Sequence, residues 1–195
     1  MICVIPFCRS DFKQAVQLLN WIHELGDCKA HSAILTTHPD TQWSDAQGLL
    51  KLAQGSFATT ELVLSDAPDP GWPRGGNMLF LAVSKRIQEK HRQPFFWCDP
   101  DCIPLVPAWL TTIHVEYERV KKPFMGRAYD CTQPKLPPRL LSGIAVYPCN
   151  AFDVIGPHCH KDRAWDVEAA YTMLGNAEDT KLIQWFWGQP NLPPT

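Results

Sequence analysis

Pro94-Phe95-Phe96-Trp97-Cys98-Asp99-Pro100-Asp101-Cys102 runs from a proline through three aromatic residues and a cysteine into two carboxylates. A run this short, bounded by turn residues, predicts a buried strand and not a helix. Two carboxylates two residues apart at the exposed end of such a strand can converge on one hard divalent cation that also grips phosphate oxygens. The same Asp-Pro-Asp is equally an ordinary turn that closes a strand, and the tripeptide alone does not choose.

Working upstream, the neighbouring segments alternate. Ile2-Cys3-Val4-Ile5, stopped by Pro6, has the length and β-branching of a first strand. A helix follows, capped by Ser10 or Asp11, with Phe12, Ala15, Val16, Leu19 and Ile22 at helical spacing and Gly26 as its stop. Residues 33–37 predict a second strand, 44–54 a helix and 61–64 a third strand. After the turn-rich loop Pro68–Gly76, Met78, Leu79, Ala82, Val83 and Ile87 mark another amphipathic helix leading into Pro94–Cys98. This order predicts an α/β domain with a mostly parallel sheet covered on both faces. In such a sheet ligands gather at the carboxyl ends of the strands. Pro6–Asp11, Thr37-His38, Ser65-Asp66 and Asp99–Asp101 are therefore expected along one rim.

Downstream the pattern is less regular, which predicts a mixed sheet. Helices are expected at 107–117 and 163–174, strands at 123–127 and 141–147, and a last strand over 181–187. The 195 residues fit one domain, with halves at 1–101 and 102–187 and a tail at 188–195. With 45% hydrophobic residues there is ample material for a core, and a formal charge of −2 exerts no global pull on nucleic acid or anionic membranes. No apolar run has the length of a membrane span, and the first six residues lack the character of a signal peptide, so a cytoplasmic protein without membrane insertion is expected. The eight cysteines include no CxxC pair, and Cys98-x-x-x-Cys102 lacks a matching partner pair; reduced thiols packed as small hydrophobes are expected in place of zinc or disulfides.

The order of strand, Arg-bearing loop, helix, two further strands, Gly-Asn loop, helix, apolar strand and Asp99-Pro100-Asp101 resembles the GT-A glycosyltransferases, whose fold is a Rossmann-like three-layer α/β sandwich with a DxD motif. Leu141-Ser142-Gly143-Ile144-Ala145-Val146-Tyr147 adds to the resemblance, because a similar Ser-Gly strand lines the donor and acceptor pocket in several such families. The resemblance implies that Pro6 and Arg9 lie near the nucleoside or its phosphates, and that Arg74 and Asn77 of Arg74-Gly75-Gly76-Asn77 meet the donor. Asp66, Ser142 and Gly143 join that donor-binding set. Asp99 is then expected at ribose or metal-bound water and Asp101 on Mn2+ or Mg2+, with His158 or His160 supplying a further metal ligand. Asp166 and Glu168 resemble the position of the catalytic base in inverting members, while Trp165 and Tyr147 are expected at the acceptor. Residue chemistry alone keeps plainer readings open: a solvated Arg9, Asn77 as a helix cap, solvated histidines, and Asp166 and Glu168 as first-turn acids that favour the helix dipole.

The function expected is transfer of a sugar from a nucleoside diphosphate sugar, UDP foremost, to a hydroxyl on a glycan, a small molecule or a hydroxylated nucleic-acid base. Arg119, Lys121, Lys122, Arg127, Lys135 and Arg139 against the single acid Asp130 are what a nucleic-acid acceptor would meet, although a solvated loop face accounts for them more simply. The rivals are a nucleotidyltransferase, whose glycine-rich basic signature is missing from Phe7-Cys8-Arg9-Ser10, and a non-catalytic sugar- or nucleotide-binding module.

Overall fold

The computed structural model describes residues 1–132, 136–160 and 162–184. Strands β1 (Ile2–Pro6), β2 (Ser32–Thr37), β3 (Thr59–Leu64) and β4 (Phe95–Trp97) alternate with helices α1 (Phe12–Leu25), α2 (Trp43–Ser56) and α3 (Arg74–Arg86). These are the elements expected for the first half. α1 buries Ala15, Leu18, Leu19 and Ile22 and ends at Gly26, where φ is 70° and the amide donates to the Ile22 carbonyl. That left-handed conformation is what the glycine is needed for.

Then come α4 (Trp109–Val120), β5 (Phe124–Asp130), β6 (Arg139–Tyr147), α5 (Ala151–Ile155), α6 (Trp165–Glu168), α7 (Ala170–Leu174) and β7 (Ala177–Asp179). The seven strands form one sheet in the order β3-β2-β1-β4-β6-β5-β7. β3, β2, β1 and β4 are parallel neighbours, β6 runs antiparallel to both β4 and β5, and β7 lies parallel to β5. It is an α/β fold on a mixed, mostly parallel sheet.

Period-two alternation along the strands divides the core. Cys3 and Ile5 of β1 and Phe96 and Cys98 around β4 face a layer with α1, α2 and α4. Ile2 and Val4, with Phe95 and Trp97, face the opposite layer with α3, α5, α6 and α7. Burial on both faces explains why β1 and β4 read as continuous apolar runs. The eight cysteines are all unpaired, and four of them, Cys3, Cys28, Cys98 and Cys159, are buried.

Two expectations change. The helix expected over 163–174 is two short helices that meet at Ala169. Among the described residues the last strand is β7, ahead of the expected one: residues 181–183 form bends, while 185–187, like the 188–195 tail, lie outside the described residues. β7 is an edge strand paired with β5 and flanked by ion pairs. The Asp179 carboxylate accepts the Ala128 amide at 3.0 Å and pairs with Arg127 and Arg139, and Lys122 pairs with Glu178. The same pairs alter the reading of the basic stretch, since three of its cations face β7 acids and not an open phosphate-binding surface.

Candidate active site

Because β1 to β4 are parallel, their carboxyl ends form one rim, and Pro6, Arg9, Asp66, Asp99 and Asp101 all lie just at or beyond those ends. The β4–β6 register pairs Phe95 with Tyr147 and Phe96 with Val146, so β6 runs beside the strand that ends at Asp99. The chain then returns through α5 to α6. A Cβ placed on Gly143 would lie 3.2 Å from Asp166 Oδ2, so the glycine leaves the room that this carboxylate occupies. Asp166 accepts the Val167 amide at 2.9 Å and the Gly143 amide.

Two touching indoles orient the two half-buried carboxylates. Trp97 Nε1 donates to Asp99 Oδ1 at 2.8 Å. Trp165, the residue before Asp166, packs edge-on to Trp97 with ring centroids 5.1 Å apart and stacks on Phe80 at 4.8 Å. Trp165 Nε1 donates to the Tyr147 hydroxyl at 3.2 Å, and that hydroxyl donates to the Gly143 carbonyl at 2.8 Å. Asn77 completes the bracket: its Nδ2 donates to the Arg163 carbonyl at 2.9 Å and its Oδ1 accepts the Trp165 amide at 3.0 Å.

The electrostatics follow from this packing. Burial pushes the Asp99 carboxyl up to about 7; the Trp97 hydrogen bond works the other way, and the charges of Asp101, Asp166 and Asp11 add to the rise. Burial likewise raises Asp166 to about 6, against the amides of Val167, Asp166 itself and Gly143. Asp11 is raised by burial as well, although its Oδ1 accepts the Cys8 amide at 2.6 Å. Burial is thus the main cause at each of the three, and at Asp99 the neighbouring carboxylates add to it.

The residues nominated from the sequence separate into three groups. Asp99, Asp101 and Asp166 come together, with Asp101 exposed and Gly143 supporting Asp166. Arg9 and Asp66 are exposed on the same rim, Pro6 is buried at the end of β1, and Ser142 is buried with its hydroxyl accepting the Ile144 amide at 3.3 Å. Tyr147, Trp165 and Asn77 are core residues, fully or almost fully buried. Aromatic packing and the Asn77 bracket take up the side chains expected at the acceptor, Tyr147 and Trp165, and at the donor, Asn77. Arg74, at the start of α3, pairs with the exposed Asp162, and Glu168 faces Arg163 at 3.8 Å. His158 ends the short 3-10 helix Gly156–His158 after α5 with Nδ1 buried and unpartnered, and His160 is exposed. Among the described residues no three His, Cys, Asp or Glu side chains converge into a metal cage.

The site holds residues that sequence reasoning passed over. Asp11 was read as a helix cap, yet its carboxylate turns back to Cys8 and makes no cap bond. Trp97 was read only as strand filling. His38 and Asp69 were not singled out for chemistry: His38 is buried with Nδ1 2.7 Å from Ser65 Oγ, and its Nε2 is 3.7 Å from Asp69 Oδ1. Polar residues placed directly after apolar strands were the available signal for His38.

Solved structures of low sequence identity share this architecture. TarS of S. aureus, residues 1–349, superposes with a TM-score of 0.53 at 10% identity over 78% of this chain and 48% of that one, and TarS has also been solved with UDP-GlcNAc. The glycosyltransferase GlyE of Streptococcus pneumoniae TIGR4 gives 0.55 at 8% identity over 92% of this chain and 45% of GlyE. The fold is GT-A-like. A 4-diphosphocytidyl-2C-methyl-D-erythritol synthase gives 0.55 at 11% identity over 97% and 92% of the two chains. The chain thus spans about half the length of the TarS and GlyE structures. No protein-family model matches the sequence, and no curated protein matches it at the sequence level. Among the described residues no helix is long and apolar enough to cross a membrane.

Proposed function

We propose that this GT-A-like protein transfers a sugar from a nucleoside diphosphate sugar, UDP foremost, to an acceptor hydroxyl. The observation that carries the reading is that two desolvated carboxylates, Asp99 and Asp166, reached from different halves of the chain, lie close enough at the carboxyl rim for the charges of Asp166 and the exposed Asp101 to act on Asp99. An ion such as Mg2+ or Mn2+ is commonly held by one or two carboxylates together with substrate phosphates. Two hard oxygen donors without a basic partner among the described residues fit that pattern. Asp101, with Asp99 behind it, would hold the ion, which when bound supplies positive charge to the diphosphate leaving group.

Asp166 is suited to take the proton from the acceptor hydroxyl. Its carboxyl, raised to about 6, is ionised at neutral pH yet more basic than a solvated aspartate. Its two amide donors fix its direction, and a base so placed implies inversion at the anomeric carbon. Arg9, exposed on the first loop, is available to the diphosphate. The likeness to the diphosphocytidyl synthase supports nucleotidyl transfer as a second reading, but the loop from Phe7 to Ser10 has no glycine to admit a triphosphate close to its backbone.

The test is a thermal-shift series with UDP, CTP and UDP-sugars, with Mn2+ and with chelator. UDP at about 100 times its dissociation constant is expected to add ~2.7 kcal/mol of stability when metal is present. Equal shifts with and without metal count against the site, and a preference for CTP favours the second reading.

A further inference from the structure

The loop between β3 and α3 carries an indole that the fold does not use. Trp72 is 78% exposed, whereas Trp165 is only 4% exposed. Both rings come to Gly76: a Cβ there would meet Trp72 Cζ3 at 3.3 Å and Trp165 Cζ3 at 3.4 Å. Trp165 in turn adjoins Gly143 and immediately precedes Asp166. The exposed ring therefore borders the aromatic wall behind Asp166, on the rim where Asp99 and Asp101 also lie.

The loop backbone is tied down. Asp69 Oδ1 accepts the Gly71 amide at 2.8 Å, the Asp69 amide donates to Asp40 at 3.1 Å, and the Gly71 carbonyl accepts the Gly75 amide at 2.8 Å. A Cβ on Gly75 would strike Asp69 Oδ1, so only glycine lets α3 begin beside that carboxylate. An apolar ring displayed on an ordered backbone loses little conformational entropy when a ligand covers it.

From this geometry we infer that Trp72 is the acceptor platform, and that the acceptor is a neutral pyranoside sugar whose apolar ring face stacks on the indole. The inference rests on the glycosyltransferase reading. Charge selects the occupant: Asp40, Asp66, Asp69, Asp99 and Asp101 lie on the loops of this rim and Asp166 on α6, against Arg9, assigned above to the diphosphate, and Arg74, which pairs with Asp162. Such a field repels a polyanion, so it disfavours nucleic acid and acidic sugars. An uncharged sugar presents C–H groups to the ring and hydroxyls to the carboxylates.

The experiment reads labelled protein, with UDP and Mg2+ present, on an array of neutral, sialylated and sulfated oligosaccharides and single-stranded oligothymidylate. UDP–Mg2+ affinity is measured separately by calorimetry. Neutral pyranosides are expected to bind, Trp72→Ala to weaken them about tenfold or more, and Trp72→Tyr to restore most of the loss. UDP–Mg2+ affinity is expected to stay within about twofold in both variants, since the ring serves the acceptor and not the donor. Wild-type binding to acidic sugars or DNA alone, no neutral-sugar binding, or Trp72→Ala binding like wild type overturns the proposal. So does a fall in UDP affinity, which would assign the ring to the donor base. Wild-type protein that binds no UDP–Mg2+ sinks the glycosyltransferase reading itself, a result the calorimetry reports independently of the array.

Discussion

The parallel half of the molecule, β1 to β4, and the mixed half, β5 to β7 with α5 to α7, contribute acids to the same rim by different means. In the parallel half each polar residue reaches the rim because a strand ends there, and Asp99 and Asp101 follow β4 directly. In the mixed half Asp166 stands on a four-residue helix, too short to hold itself, and is placed by contacts with the Gly143 amide, the Trp97–Trp165 ring pair and the Asn77 bracket. Changes in the parallel half are therefore expected to disturb ligand chemistry at constant fold. Changes in the mixed half couple chemistry to packing.

The sharpest test exchanges Asp166 for Asn, which keeps shape and removes the proposed base. Turnover is expected to fall about 10²–10⁴-fold while UDP–Mg2+ affinity holds, as read by product formation and calorimetry on one preparation. Normal turnover in a folded Asp166→Asn protein would break the claim that both halves serve the reaction. Next, Asp101→Asn should lose at least about a hundredfold of metal-dependent turnover, with a melting temperature close to wild type because the side chain is exposed. The two variants then differ in kind: one loses metal response and the other does not.

A smaller effect is expected from Asn77→Ala, which leaves the Arg163 carbonyl and the Trp165 amide without their buried partner. Urea titration should register a loss of about 1–3 kcal/mol, together with lower turnover as α6 loosens. Unchanged stability would show that α6 is held by the aromatic rings alone.

The smallest effect is on pH dependence. Asp166 holds its proton to about pH 6 in the folded protein, above its ordinary value of 3.8, so the folded state binds more protons between those limits. Its contribution to unfolding free energy must then fall as pH rises through that window and level off above it. His31, lowered by burial to about 4, and the depressed His114 have the opposite slope below their ordinary 6.5, so whole-protein curves mix the two. The difference between wild type and Asp166→Asn, melted in chelator from pH 4.5 to 7.5, removes the histidine contributions and follows Asp166 together with the lowering of Asp99 that loss of its charge brings. Asp166→Asn is expected to gain relative stability as pH rises, and a flat difference would place Asp166 in solvent.

Much of the first half was legible from the sequence because its information is local. Apolar runs of four or five residues, helical spacing from Phe12 to Ile22 and the stop at Gly26 each specify an element within a few residues, and the alternation implies a parallel sheet with a polar rim. The acidic pair after β4 was visible for the same reason. The second half was not, because its placements depend on partners far along the chain. β7 is a strand through its parallel pairing with β5, some fifty residues earlier, with Glu178 and Asp179 beside Lys122, Arg127 and Arg139, and no run of apolar residues announces it. Phe80, Phe95 and Trp97 close around Tyr147 and Trp165, the aromatics expected at the sugar, whereas Trp72, in a loop whose sequence predicts only a turn, is among the rings left in solvent. Sequence alone determined which side chains were available and which strand ends would carry them. Tertiary structure alone decided which were buried, since burial and the carboxylate shifts it causes at Asp99 and Asp166 come from surfaces that meet only when both halves of the sheet are assembled.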